Sequence, residues 1–93
     1  MYATIRVYRG SGELADKLAA RADEVRAVVG GIQGFRDYYL LKTADGAASV
    51  TVCDDENGAE ETNRAAAAWL KENMPDAAGA APEILAGEVV LSS

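Results

Sequence analysis

Apolar and polar residues alternate from the second position of the chain. Over residues 2–8, Ala3, Ile5 and Val7 point one way and Tyr2, Thr4, Arg6 and Tyr8 the other, which is the period of a half-buried strand. Gly10, Ser11 and Gly12 interrupt the alternation, and Ser11 can cap a following helix. Leu14, Leu18, Ala22, Val25 and Val29 then recur at spacings of four, four, three and four, one face of a single helix. Gly30 and Gly31 end it. Two β-rich runs, FRDYYLLKT and AASVTVCD, are joined through Asp45 and Gly46 and predict a hairpin. The polar stretch 54–58 opens a second helix. Asn57 and Glu60 have the spacing of a capping box, with Asn in the capping position, and the acids around them suit the positive end of the helix dipole. Pro75 stops that helix. A loose Ala/Gly segment over 76–81 leads to a last strand over 84–91, bent at Gly87.

The predicted order is β-α-β-β-α-β. This is an α+β, ferredoxin-like arrangement: a four-stranded antiparallel sheet with two helices on one face. Residues 1–93 read as a single domain without repeats. The other sheet face is left uncovered, and the alternation assigns Tyr2, Thr4, Arg6 and Tyr8 to it. The hairpin adds Tyr38 or Tyr39, depending on its register. An aromatic-rich face predicts an interaction surface. A second copy of the same sheet is the simplest cover, giving a homodimer through the open face.

On a helical wheel, Ala59, Thr62, Ala66, Trp69, Leu70 and Met74 share one broad face of the second helix. Glu60, Glu61, Arg64, Ala68, Lys71 and Glu72 lie opposite. Trp69 reads first as core or interface. Asn63 lies at the edge of the apolar face, where its amide either ties the helix to a neighbour or lines a cavity. Asn73, just before Met74 and Pro75, reads as a helix-end residue.

Charge and composition narrow the classes. The 93 residues carry a net charge of −6, with 49% hydrophobic and 26% charged positions, a globular balance. Nine scattered basic residues make no stripe for nucleic acid or for an anionic membrane. No apolar run approaches the roughly 20 residues of a membrane span. The N-terminus lacks the pattern of a signal peptide, so a cytoplasmic location is expected. The chain has no histidine and one cysteine, Cys53. That removes the common zinc sets, a Cys–His pair and an intramolecular disulfide, and with them the commonest general base. Asp54, Asp55 and Glu56 read as helix-start acids, since their spacing does not match a calcium loop; no metal is expected. Cys53 reads as packed, because a reactive thiol needs an electropositive setting. Arg6 and Arg36 either pair with Asp37 or Glu88 or hold an anionic or phenolic ligand.

The element order, the Gly34-Phe35 start of the second strand, and the runs DDENGAEETNRAAAAWLKENM and PEILAGEVV together resemble the antibiotic-biosynthesis monooxygenase superfamily. The likeness spans nearly the whole chain and is closest to small bacterial members without an established role. It implies a dimeric α/β barrel with a cavity in each subunit between sheet and helices. It also implies oxidation of small aromatic or quinol compounds by O₂ without metal, flavin or other cofactor, with electrons drawn from the substrate's own anion. By position it implies catalytic roles for Asn63 and Trp69, and substrate binding by a tyrosine. Arg6, Tyr8, Tyr38 and Tyr39 are the substrate-binding candidates, since a cation beside a tyrosine favours a phenolate. Haem-degrading relatives ligate iron through a histidine, which this chain lacks. The alternatives to an oxygenase are a non-catalytic dimer that binds a small hydrophobic molecule and a structural dimer with a filled core.

Overall fold

The strand predicted at the N-terminus lies inside a sheet, flanked on both sides. In the computed structural model, which describes residues 1–9, 13–74 and 82–93, β1 (Tyr2–Arg9) is followed by α1 (Leu14–Ala20), α2 (Ala22–Gly30), β2 (Phe35–Thr43), β3 (Gly46–Cys53), α3 (Glu56–Asn73) and β4 (Glu83–Glu88). The strands form one antiparallel sheet in the order β2-β3-β1-β4. This is the α+β, ferredoxin-like topology, with all helices on one face of the sheet. Ser11, Pro75 and the Ala/Gly segment 76–81 lie outside the described residues.

The direction of the alternation is reversed. Thr4, Arg6 and Tyr8 are buried, at 1%, 5% and 6% exposure, and sit beneath the helices instead of on the open face. Ala3, Ile5 and Val7 take the open face. There Ile5 is flanked by Val50 and Leu85, and Val50 by Tyr39 on its far side. A period of two says that the faces differ; it does not say which one the helices cover. Leu14, Leu18 and Leu70 pack against Tyr8 and Ala47, so the helices have apolar rows enough to close over a face whose middle is polar.

The hairpin tyrosines are sorted by a bulge. The register of β2 against β3 shifts between Phe35 and Asp37, and one inserted residue turns every later side chain over. Tyr38 therefore faces the helices and Tyr39 the open side, where it is 58% exposed. Two glycines fix the hairpin ends. A Cβ on Gly46 would lie 1.9 Å from the Tyr8 carbonyl oxygen, and Gly34 has φ +86°, a left-handed value that glycine adopts without strain.

The first predicted helix is two. It breaks at Arg21, whose backbone (φ −115°, ψ 31°) is not helical, although the apolar row continues across the break. The second predicted helix begins earlier than the capping box placed it. Asp55 is its N-cap, extended (φ −147°, ψ 177°), with its carboxylate accepting from Gly58 N–H at 2.9 Å. Asn57 lies inside the helix, because the chain leaving β3 reaches a capping geometry two residues sooner. The last strand ends at Glu88, and one further bond joins Val89 N–H to the Met1 carbonyl.

Candidate functional site

A small cavity lies between the sheet and the helices. β1 contributes Arg6 and Tyr8 to its floor, β2 contributes Tyr38, and β3 contributes Ser49 and Thr51. The roof is Leu18 of α1, Val25, Val28 and Val29 of α2, and Thr62, Asn63, Ala66, Trp69 and Leu70 of α3. The enclosed volume is about 30 Å³, room for one or two waters. Beside it an open cleft of about 630 Å³ runs between α1, α2 and β2. Leu18, Val25, Val29 and Tyr38 line both spaces and form the wall between them.

The polar groups of this cavity are not satisfied by one another. Arg6 stacks over the Tyr8 ring, 5.5 Å from its centroid. Yet Arg6 Nε and Asn63 Oδ1 of the lining, and Thr4 Oγ1 outside it on β1, are buried without a hydrogen-bond partner among the described residues. Among the described residues Arg6 pairs with neither Asp37 nor Glu88, while Arg36 takes Asp54 instead, at 2.5 Å. Burial pushes the phenols of Tyr8 and Tyr38 above their ordinary range. The Arg6 charge opposes this at both, and Ser49 also opposes it at Tyr38. Both tyrosines are therefore neutral donors at neutral pH, facing one cation. Among the described residues no Asp or Glu lines the cavity, and the chain has no His.

Trp69 is held from behind. The Arg21 guanidinium lies over its ring at 4.9 Å. Arg21 also binds Glu24 at 2.6 and 2.7 Å and donates to Asn73 Oδ1 at 3.0 Å. Asn73 Nδ2 in turn donates to the Trp69 carbonyl, which gives Asn73 the helix-end role expected of it. The break at Arg21 is thus where α1–α2 and the end of α3 are tied together. Arg21, Ser49 and Thr51 were not singled out from sequence. Ser49 and Thr51 carried a signal, since they alternate in β3 in phase with Thr4 and Arg6 of β1. Arg21 carried none.

Five of the six candidates, Arg6, Tyr8, Tyr38, Asn63 and Trp69, line one cavity. Tyr39 does not, because the bulge turns it to the opposite face. Ala66 stands between Asn63 and Trp69 on α3, and its single methyl leaves both side chains room to reach the same space. Among the described residues no three Cys, Asp or Glu side chains converge as a metal site. Asp54 is taken by Arg36 and Asp55 by its cap. Cys53 is fully buried against the Thr62 hydroxyl, a packing position.

No family sequence profile matches the chain, and no curated protein matches it. Solved structures do. A Nitrosomonas europaea protein of unknown function superposes with a TM-score of 0.72 at 18% identity, covering 99% of this chain and 90% of that one. A monooxygenase from the ActVA-Orf6 gene of Streptomyces coelicolor, in complex with nanaomycin D, gives 0.65 at 17% identity over 99% and 91%. The haem degrader MhuD of Mycobacterium tuberculosis, with two haems bound, gives 0.63 at 20% identity over 100% and 99%. The chain shares the α+β fold of these structures. The residues here do not fit haem. The chain has no histidine to ligate the iron.

Proposed function

We propose that the cavity is the substrate site of a cofactor-independent oxygenase acting on a small aromatic or quinol, in a homodimer. The observation that carries this reading is the convergence of Arg6, Tyr8, Tyr38, Asn63 and Trp69 on one cavity. It is supported by the shared fold with the Streptomyces coelicolor monooxygenase and with SnoaB, a cofactor-independent oxygenase of Streptomyces nogalater (TM-score 0.54, 17% identity, 98% and 92% covered). In such a reaction one oxygen atom enters a ring carbon as a carbonyl and the other leaves as water. The substrate supplies all four electrons. The substrate enters as the anion it already forms in water, since no lining residue takes its proton; Arg6 stabilises that anion, the neutral Tyr8 and Tyr38 hydroxyls donate to it, and Asn63 and Trp69 orient the ring. Oxygen uptake with an electron-rich hydroquinone is the test, with loss expected on Asn63→Ala. Uptake unchanged in that variant removes Asn63 from the mechanism.

A second reading rests on one observation: the lining has no carboxylate and no histidine to move a proton. It makes the protein a dimer that binds a small aromatic without turning it over. Saturable binding with no oxygen uptake by the bound ligand is its signature. A third reading, a structural dimer with a filled core, is supported by the smallness of the space between sheet and helices, about 30 Å³.

The homodimer rests on the open face. Ile5, Val7, Val50, Val52, Tyr39, Leu41 and Leu85 are neighbours in register there, and Leu41 and Leu85 are 46% and 54% exposed. This apolar centre, edged by Asp37 and Glu83 on the same face, is a surface suited to twofold pairing. Sedimentation at micromolar concentration gives the mass of two chains; one chain would remove this part of the proposal.

A further inference from the structure

Arg6 carries a charge that no described residue balances. The residue is a guanidinium cation only 5% exposed. Among the described residues it makes no salt bridge, and its Nε has no hydrogen-bond partner. A buried, unpaired cation is among the costlier arrangements a small domain can hold. The groups that face it, Tyr8 and Tyr38, are neutral phenols, and no carboxylate lines the cavity. The rest of the lining is built for a ring, with Trp69, Tyr8, Tyr38 and Leu18 as walls.

We infer that the cavity takes an aromatic carboxylate, whose negative group is the missing counter-charge of Arg6 and whose ring lies against Trp69. The planar guanidinium fork matches a carboxylate better than any single oxygen. A neutral phenol, with an ordinary pKa near 10, would need a base to ionise it, and the cavity has none. A carboxylate arrives already charged. The closed cavity, about 30 Å³, is too small for a ring. The ligand is therefore admitted from the outer cleft by parting Leu18, Val25, Val29 and Tyr38, the shared wall. This inference rests on the cavity being a ligand site, as proposed above, and not on oxygen chemistry in it.

The test is a thermal-shift titration of the full chain with benzoate, its neutral isostere benzamide, and formate. Benzoate binds about ten- to a hundredfold more tightly than benzamide, the worth of a hydrogen-bonded charge, and formate stabilises less than benzoate. In Arg6→Met the unliganded Tm rises by about 5 °C, because an uncompensated cation is gone, and the preference for benzoate disappears. Equal responses to benzoate and benzamide in the wild type would overturn the proposal, and that comparison needs no variant to fold. So would an Arg6→Met protein of lower Tm that keeps the preference, since Arg6 would then be structural. Formate as effective as benzoate would overturn the aromatic part. Oxygen uptake separates the two proposals. Benzoate binding in a protein that oxidises no hydroquinone sinks only the oxygenase reading; oxidation of a neutral hydroquinone without benzoate binding sinks only this one.

Discussion

The two faces of the sheet are built from the same four strands and have opposite chemistry. The face under the helices is polar at its centre, with Thr4, Arg6, Ser49 and Thr51 all buried. The face without helices is aliphatic, with Ile5, Val50 and Leu85 in register. If burial of apolar surface by the helices were the only demand, the two would be exchanged. The covered face therefore gives up apolar burial for a polar cavity, and the open face keeps apolar surface in solvent. A small domain buries a modest share of its surface by itself, so on the proposed reading its stability and its ligand site compete for the same helices.

The largest expected effect comes from charging the open face. Val50→Glu places a carboxylate midway between Ile5 and Tyr39 and costs the dimer roughly 3–5 kcal/mol. Sedimentation velocity then reads one chain where the wild type reads two. A variant that sediments as the wild type does would break the contrast between the faces.

Truncation sharpens it next. Leu18→Ala, under the helices at 5% exposure, costs about 2–5 kcal/mol in urea unfolding. Leu41→Ala, on the open face, stays within about 0.5 kcal/mol in dilute protein and weakens only the concentration dependence of unfolding. Equal costs at high dilution would contradict the assignment of faces. A smaller effect is expected at the roof of the cavity. Asp55→Ala removes the cap of α3 and costs about 1 kcal/mol, with the loss read by thermal unfolding.

The smallest effect is confined to high pH. Burial raises the pKa of Tyr8 and Tyr38 above the unfolded value near 10. Above about pH 10 the unfolded chain loses these protons while the folded one keeps them. Stability contributed by the two phenols is thus complete below pH 10 and is lost as pH rises through their folded values. The double variant Tyr8→Phe, Tyr38→Phe flattens the alkaline fall of a stability–pH curve; an unchanged curve would mean that these phenols are not desolvated.

Element order was legible because each switch of period sits beside a strong punctuation: Gly30-Gly31, Asp45-Gly46, the acids at 54–56. Three features were not. The break at Arg21 leaves no trace, since arginine is a good helix former and the apolar row runs through it. The bulge after Phe35 has no glycine or proline to announce it, yet it decides that Tyr38 joins the cavity and Tyr39 does not. The polarity of the faces was hidden because an amphipathic strand with a ligand cavity on its polar side reads the same as one with solvent there. Five of the six candidate residues line one cavity even though the alternation had put Arg6 and Tyr8 on the other face. Asn63 at the edge of an apolar face and a lone arginine among tyrosines are odd wherever they point, and both line the cavity.

The measurement that tests both faces together is native mass spectrometry of the full chain in the presence of benzoate. The account predicts two chains carrying two benzoates, a partner on the aliphatic face and an anion beneath the helices. A single chain free of benzoate would contradict it.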